Sequence, residues 1–449
     1  MKTDGISRRH FFYGSLLAGT LPAAGFGSVA SLKHLGYKSP NEKLNYAAIG
    51  AGGKGYSDIL GCRTENLVAM ADPDEKQAAR AFKQFDKTPR YKDFRQMFDK
   101  EGKNIDAVIV STPDHMHGTA AMWAITRGKH VYCQKPLVRT VWEAQELMKA
   151  ARKHGVATQM GNQGYSNEGA RQACEIVWNG DIGNVTELHA WTNRPLKYWP
   201  QGPDVVHKEE PVPSTLDWDI WLGDSEPRPY SSAYLPLKWR GYPEFGCGAI
   251  GDMACHIMGT PNMALKLGGP TSVECVKQEG KSQYTFPLRS VIRFDFPARG
   301  SMPAVKVFWH DGLERQPDFD GVPKGELLGD SDVNGSLFIG DKGMLTTGCY
   351  GERTRLVPAS KMADYTLPPQ LLTRSPGHYR DWIRACKGGD PACSNFDVSA
   401  PFVSWMLLGV IAMKYEGPLQ WDAAKMQFTN NKEANKWLKP KFRKGWKFA

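Results

Sequence analysis

The most constraining feature of this chain is a short apolar run that ends in a cluster of glycines. Leu44-Asn45-Tyr46-Ala47-Ala48-Ile49 leads directly into Gly50-Ala51-Gly52-Gly53-Lys54-Gly55. A buried strand followed at once by G-x-G-x-x-G and a helix-forming segment opens a nucleotide-binding βαβ unit. The glycines allow a tight turn and a close backbone approach to a pyrophosphate at the next helix N-terminus, where free N–H groups and the helix dipole favour an anion. A second apolar strand, Leu67–Ala71, ends in Asp72, where a carboxylate accepts hydrogen bonds from ribose hydroxyls. The same carboxylate repels a 2′-phosphate, which favours NAD over NADP. Gly50, Gly52, Gly53, Gly55 and Asp72 are therefore candidate cofactor-binding residues.

The pattern continues downstream. Ile105–Val110 is a strand closed by Ser111-Thr112-Pro113, and Val131–Cys133 is another, ended by Gln134-Lys135-Pro136. Helical stretches lie between and after them, at Gln77–Phe85, His117–Thr126 and Val141–Lys153. Strands alternating with helices at this spacing predict right-handed βαβ units and a doubly wound parallel sheet over residues 44–162. From residue 163 to 430 the pattern changes. One helix (169–178) and one strand (185–192) precede an irregular stretch, 193–245, dense in Pro, Trp and Tyr. A helix over 249–267 and strand-like runs near 271–278, 287–296, 303–309 and 335–347 follow, then helices near 376–387 and 400–415. This predicts an α+β domain with a large open, mostly antiparallel sheet. Residues 431–449 form a basic-aromatic tail.

Residues 1–30 read as an address. Ser7-Arg8-Arg9-His10-Phe11-Phe12 is a twin-arginine pattern, Tyr13–Val29 is weakly apolar, and Ser28-Val29-Ala30 suits cleavage. The expectation is export by the twin-arginine route to the periplasm, with no integral membrane span after cleavage. Removing Lys2, Arg8, Arg9 and Asp4 with the signal lowers the formal charge from +10 to +8. Seven bases against Glu433 give residues 432–449 a charge of +6, so the remaining body is nearly neutral and nucleic acid is not an expected partner. The tail reads as an extension lying over its own domain or a neighbouring chain, with anionic lipid as the other reading. The nine cysteines are odd in number and show no CxxC spacing, so no metal site is expected.

Two further clusters carry chemistry. Lys135 stands at the carboxyl end of a strand, where ligands of open α/β sheets bind and a cation stabilises a developing alkoxide. Taken alone, a Lys-Pro there is usually a turn. Asp252 and His256 are four apart on an expected helix and share a face. The imidazole has the right ordinary pKa to take a hydroxyl proton, and Asp252 could fix its tautomer. Taken alone, they are an ordinary surface pair.

In combination and order, these motifs resemble the Gfo/Idh/MocA oxidoreductases over roughly residues 44–430. The motifs are the glycine turn, Asp72, Thr112-Pro113-x-x-x-His117, Gly128-Lys129-His130-Val131, Lys135-Pro136 and Asp252-x-x-x-His256. Val131–Ala144, Thr158–Gly164, Trp191–Pro195 and Cys247–Met258 are similar to the exported bacterial branch of that family. The resemblance implies a Rossmann domain and a C-terminal domain whose open sheet carries the substrate and often a homo-oligomer interface. It implies NAD(P)-linked hydride transfer on sugars or polyols. It places Lys135, Asp252 and His256 as catalytic residues and adds Thr112, Pro113, His117 and Lys135 to the cofactor site. Two positions depart from the family pattern: Gln134 stands where Glu is usual, and Gly259 where an acid is common.

The aromatics of 193–245 (Trp199, Trp218, Trp221, Tyr230, Tyr234, Trp239 and Tyr242), with Arg194 and Arg240, either stack on sugar faces or pack on one another. The expected function is a periplasmic NAD-dependent oxidoreductase acting on a sugar or glycoside hydroxyl. Because nicotinamide cofactors are kept in the cytoplasm, tightly bound NAD is expected. Two alternatives stand beside it: a redox-neutral glycosidase or lyase working through a transient keto-sugar, as in the family's NAD-dependent α-N-acetylgalactosaminidase group, and a non-catalytic sugar-binding protein.

Overall fold

The computed structural model describes residues 42–330 and 333–448. The expected export signal, residues 1–30, lies outside the described residues. Six strands, β1 (Asn45–Ile49), β2 (Asn66–Ala71), β3 (Arg90–Tyr91), β4 (Ala107–Val110), β5 (His130–Cys133) and β6 (Thr158–Met160), form one sheet in the order β3-β2-β1-β4-β5-β6. Every pairing in it is parallel. β4 is buried along its whole length, as a continuous apolar strand in a parallel sheet must be. Five helices cross between the strands: α1 (Lys54–Gly61), α2 (Glu75–Gln84), α3 (Phe94–Glu101), α4 (Asp114–Ile125) and α5 (Val141–His154). Asp74 caps α2 and Thr140 caps α5, and α5 stops at Gly155 in the left-handed conformation. The strand order reverses between β1 and β4, so their carboxyl ends open a crevice for a ligand.

The second sheet has nine strands: β7 (Val185–Thr192), β8 (Ser272–Glu279), β9 (Arg289–Phe296), β10 (Val305–Asp311), β11 (Asn334–Gly340), β12 (Met344–Thr347), β13 (Arg355–Val357), β14 (Leu419–Asp422) and β15 (Gln427–Phe428). Their order is β13-β12-β11-β7-β10-β9-β8-β14-β15. β7 and β10 pair in parallel, and the other pairings are antiparallel. β9 alternates buried and half-buried residues, which marks one covered face and one open face. Two helical segments lie before this sheet's long run, α6 (Glu168–Asn179) and the short α7 (Trp218–Leu222).

The stretch expected as one helix over 249–267 is broken. A π-helical turn, Ile250–Ala254, passes into α8 (Cys255–Ile257) and then α9 (Gly259–Ala264). Pro261 has no N–H to offer the carbonyl of Ile257, so the ladder cannot run through. After α10 (His378–Cys386), the closing helix α11 (Phe396–Ala412) is apolar all round. Such a helix must be enclosed, and α11 packs on α5 on one side and on β8 and β9 on the other. One continuous cluster of buried side chains includes Val108 and Val131 of the first sheet with Phe294 and Val307 of the second. The chain from Lys43 onward forms one compact unit. All nine thiols are free, and among the described residues no helix is long and apolar enough to cross a membrane.

The tail lies over its own first domain. Phe442 and Phe448 flank Trp142 on α5, and Lys439 sits over the same indole. Trp446 is buried against Phe94, with the Arg95 guanidinium 4.0 Å from its ring. Arg443 pairs with Asp219 at 2.6 Å. Lys439 and Arg443 thus serve a packing role, their stems and charged ends lying against Trp142 and Trp446. Trp446→Ala is expected to lower folding stability by about 3 kcal/mol, within the range for losing a buried Trp, measured by denaturant unfolding.

Candidate active site

A cavity of about 570 Å³ opens at the carboxyl ends of β1, β4 and β5, a size suited to a small-molecule ligand. Gly50, Gly52, Gly53, Asp72, Thr112, Pro113, His117, Lys135, Asp252 and His256 all line it. Gly55 does not. It lies beneath the turn, where a Cβ would stand 2.1 Å from the Gly50 carbonyl oxygen, so its absent side chain is what lets α1 start so close to β1. Gly50 has φ +85°, and a Cβ there would meet the Ser111 carbonyl.

At one end of the cavity, Asp72 Oδ2 accepts from the backbone N–H of Ala51 at 2.8 Å and of Gly52 at 3.1 Å, while Oδ1 accepts from Asp74. The carboxylate stiffens the glycine turn it was expected to serve. Burial pushes its pKa up to about 6, against the pull of those three donors. α1 has no side-chain cap, and a Cβ at Gly53 would meet nothing within 4 Å. The helix therefore presents uncapped N–H groups beside open space. Thr112 Oγ1 is buried with no hydrogen-bond partner among the described residues. An uncapped helix N-terminus, an orphaned hydroxyl and an acid after β2 fit a dinucleotide such as NAD.

His117 contributes differently from expectation. Its Nδ1 lies 2.7 Å from the Pro136 carbonyl oxygen and its Nε2 2.9 Å from that of Thr112. Both nitrogens face chain carbonyls; burial lowers the pKa to about 4, so the neutral ring has one N–H and donates to one of the two. The ring edges the cavity and ties the loop after β4 to the loop after β5.

Beside it lies a cluster that local reading missed. Asp58 of α1 is fully buried. Its oxygens accept from Lys54 Nζ at 2.6 Å, Ser111 Oγ at 2.7 Å, Tyr379 OH at 2.7 Å and Gln134 Nε2 at 2.9 Å. This accounts for the amide at 134: a carboxylate there would face the Asp58 carboxylate. Gly259 has an equally local reason, since a Cβ would sit 2.9 Å from the Tyr165 ring and leave no room for an acid.

At the other end, Lys135 Nζ donates to the Asp252 carboxylate at 2.7 Å and to its carbonyl at 2.6 Å. Arg240 Nε donates to the same carboxylate oxygen at 2.9 Å. Burial raises the Asp252 pKa, but the two cations outweigh it and hold the group well below the usual carboxylate range. Asp252 was expected to orient His256, yet no hydrogen bond joins them; Lys135 and Arg240 instead both bind its Oδ1. Among the described residues His256 Nδ1 is buried without a hydrogen-bond partner, and its ring stands edge-on to Tyr350 at 4.7 Å. Burial, and then the Lys135 charge, push its pKa well below the ordinary value and keep it neutral.

Asp114, at the start of α4, also lines the cavity and accepts from the Cys247 N–H at 3.2 Å. Burial pushes its pKa up to about 7. Its one sequence signal is its place just after Thr112-Pro113 at a strand end. Tyr350 follows β12 and carries no local signal. Most aromatics of 193–245 pack on one another: Trp218, Tyr230, Tyr234 and Tyr242 form a buried cluster with Phe245. Trp221, Trp239, Arg194 and Arg240 reach the cavity wall. The same segment docks on the turn after β2 through Glu75 N to Thr215 O and Asp217 N to Pro73 O, both 2.9 Å. Among the described residues no cluster of His, Cys, Asp and Glu is arranged to hold a metal ion.

The family model for an oxidoreductase NAD-binding Rossmann fold matches residues 44–162, and that for the family's C-terminal alpha/beta domain matches residues 182–285. The chain is 27% identical over 156 residues to 2,7-anhydro-N-acetylneuraminate hydratase from Mediterraneibacter gnavus, covering 33% of this chain and 40% of that protein. It is 23% identical over 264 residues to levoglucosan dehydrogenase from Pseudarthrobacter phenanthrenivorans, covering 54% of this chain and 58% of that protein. The chain thus spans about half the length of these curated relatives. The WlbA dehydrogenase from Bordetella pertussis, solved with NADH and UDP-GlcNAcA, shares the fold with a TM-score of 0.60 at 15% identity, over 85% of this chain and 99% of that one. Within this frame Gln134→Glu, which restores the residue usual in the family, is expected to destabilise the protein by about 1–3 kcal/mol, since it removes a donor from the buried Asp58 carboxylate; thermal unfolding of the variant measures it. The glycine turn, Asp72, Lys135 and the Asp252–His256 segment stand together on a matching two-domain fold, and the chain belongs to the Gfo/Idh/MocA oxidoreductase family, with an NAD-binding Rossmann domain at its N-terminal side.

Proposed function

We propose that the protein is an exported oxidoreductase that acts on a hydroxyl of a sugar or glycoside and keeps NAD tightly bound. The observation that carries this reading is the placement of Lys135, Asp252 and His256 at one end of the cavity whose other end is the glycine turn. Levoglucosan dehydrogenase and the other sugar-acting relatives support the substrate class. NAD, when bound, supplies the hydride acceptor. Gly53, the N-terminus of α1 and Thr112 would hold its phosphates, and Asp72 its ribose.

The chain's own residues do the rest. Asp252 holds Lys135 through two oxygens, which leaves one of the three ammonium N–H donors for a substrate oxygen. That donor stabilises negative charge as the hydroxyl loses its proton. His256, kept neutral, has a free ring nitrogen to take that proton. Asp252 acts as a positioning residue, because its Oδ1 and its backbone carbonyl hold Lys135 and the same Oδ1 holds Arg240. Trp221 and Trp239 give the cavity an apolar stretch of wall.

The twin-arginine signal supports export of an already folded protein, and the absence of free nicotinamide cofactor outside the cytoplasm supports retention of NAD. A second reading follows from that closed supply and from the hydratase relative. A sugar oxidised transiently at a ring hydroxyl, often at C3, loses its aglycone by elimination, takes up water and is reduced again. We also propose that copies associate through the open face of the nine-stranded sheet, where Arg289, Val291, Arg293 and Asp295 are half-buried.

Protein purified without added cofactor is expected to release near-stoichiometric nicotinamide nucleotide on denaturation; empty protein that binds NAD only at millimolar levels rejects retention. With aryl glycosides, net NADH formation supports the first reading, and aglycone release without it supports the second. His256→Ala is expected to cut turnover by about 100- to 10,000-fold, and Lys135→Ala by about 100- to 1,000-fold, in steady-state assays on whichever substrate the wild type converts. NAD affinity is expected to weaken as pH falls through about 6, the value to which burial raises Asp72. Protonation there removes the acceptor for the ribose and for the turn's N–H groups, so the loss is on the acid side; titration calorimetry across that range shows it.

A further inference from the structure

The substrate end of the cavity carries more positive charge than its own acids compensate. Lys135 and Arg240 share the single carboxylate of Asp252. Lys54 is already paired with Asp58. Arg194, on the same wall, makes no ion pair among the described residues. Its Nη1 donates to Asn193 Oδ1 at 2.8 Å, and its guanidinium carbon lies 3.2 Å from the centre of the Tyr198 ring. The backbone on either side is also fixed, since Arg194 N donates to Thr192 Oγ1 and the Arg194 carbonyl accepts from Gly312 N. A guanidinium stacked on a ring and held by an amide is preorganised, and its remaining N–H donors match a planar anion. Counting Asp114 as fully ionised still leaves one positive charge on this wall uncompensated.

Position separates this charge from the nucleotide end. Arg194 lies near Tyr350, whose hydroxyl feels its charge, and Tyr350 in turn touches His256. The glycine turn and Asp72 form the opposite end of the cavity. We propose that the substrate is an acidic sugar or its glycoside, and that Arg194 binds its carboxylate as the residue that sets specificity. This rests on the sugar-hydroxyl reading above and deepens it.

The test uses the full-length purified protein with its bound nucleotide. Hexuronic acids and aryl hexuronides of gluco, galacto and manno configuration are compared with their neutral counterparts and with the matching hexose 6-phosphates. The expected result is a preference for at least one acid over its neutral counterpart of about tenfold or more in kcat/KM. Arg194→Gln is expected to collapse that acid-to-neutral ratio by about 10- to 100-fold, the range for losing a hydrogen-bonded charge partner. Arg194→Lys, which keeps the charge and loses the fork, should fall between. Retained nucleotide and an unchanged unfolding midpoint confirm that the variants are folded.

A neutral sugar turned over as well as its acid overturns the proposal while leaving the oxidoreductase reading intact. An equal loss on both members of a pair in Arg194→Gln does the same, as does a preference for the phosphates. If no sugar is turned over at all, the oxidoreductase reading fails on its own, and calorimetric binding of the same panel decides the carboxylate claim. Acid binding that Arg194→Gln abolishes supports it, and no acid binding rejects it.

Discussion

The carboxylate of Asp252 is the interaction on which the rest of the site depends. It belongs to a π-helical turn of the second domain, and it is bound by a lysine from the end of β5 in the first. The two residues are 117 positions apart in sequence. Arg240, from a loop built of packed aromatics, binds the same oxygen. Two cations on one acid form a strong junction because each alone would be a poorly hydrated charge. The side chains of Lys135, Asp252 and Arg240 keep 13%, 11% and 19% of their surface exposed, so removing one costs less than the about 3–5 kcal/mol of a fully buried set. The junction therefore ties the loop after β5 of the first domain to the π-helical turn and the aromatic loop of the second.

The glycine turn, Asp72 and the parallel sheet were legible in the sequence because their information is local. A strand, a turn and an acid lie within thirty residues of one another, and steric rules connect them directly. The second sheet was legible as a class, from runs of alternating residues, while its two-residue and three-residue strands were too short to leave a pattern. The helix over 249–267 looked continuous because its apolar content is high; Pro261 was the local signal against it, while the π-turn shows only when the hydrogen-bond ladder is traced.

Most of what the sequence left open concerns partners far apart in the chain. Asp252 and His256 are four residues apart, and spacing alone pairs them. The pairing fails, and a lysine and an arginine from elsewhere bind the acid instead. Asp58 shows the same limit: Lys54 is a local partner four residues away on one helix, but the donors at 111, 134 and 379 do not announce themselves locally. The two departures from the family pattern, Gln134 and Gly259, become intelligible only with those neighbours in place. One avoids an acid beside an acid, and the other makes room for a ring.

The tail has a consequence for the order in which the protein can be completed. Trp142, Phe94 and the start of α4 lie in the first third of the chain, and their cover comes from residues 438–448. On the ribosome, the nucleotide-binding domain can form its sheet early, but its aromatic flank stays bare until residues 442–448 have been made. The covered surface thus marks a chain made at least as far as residue 448.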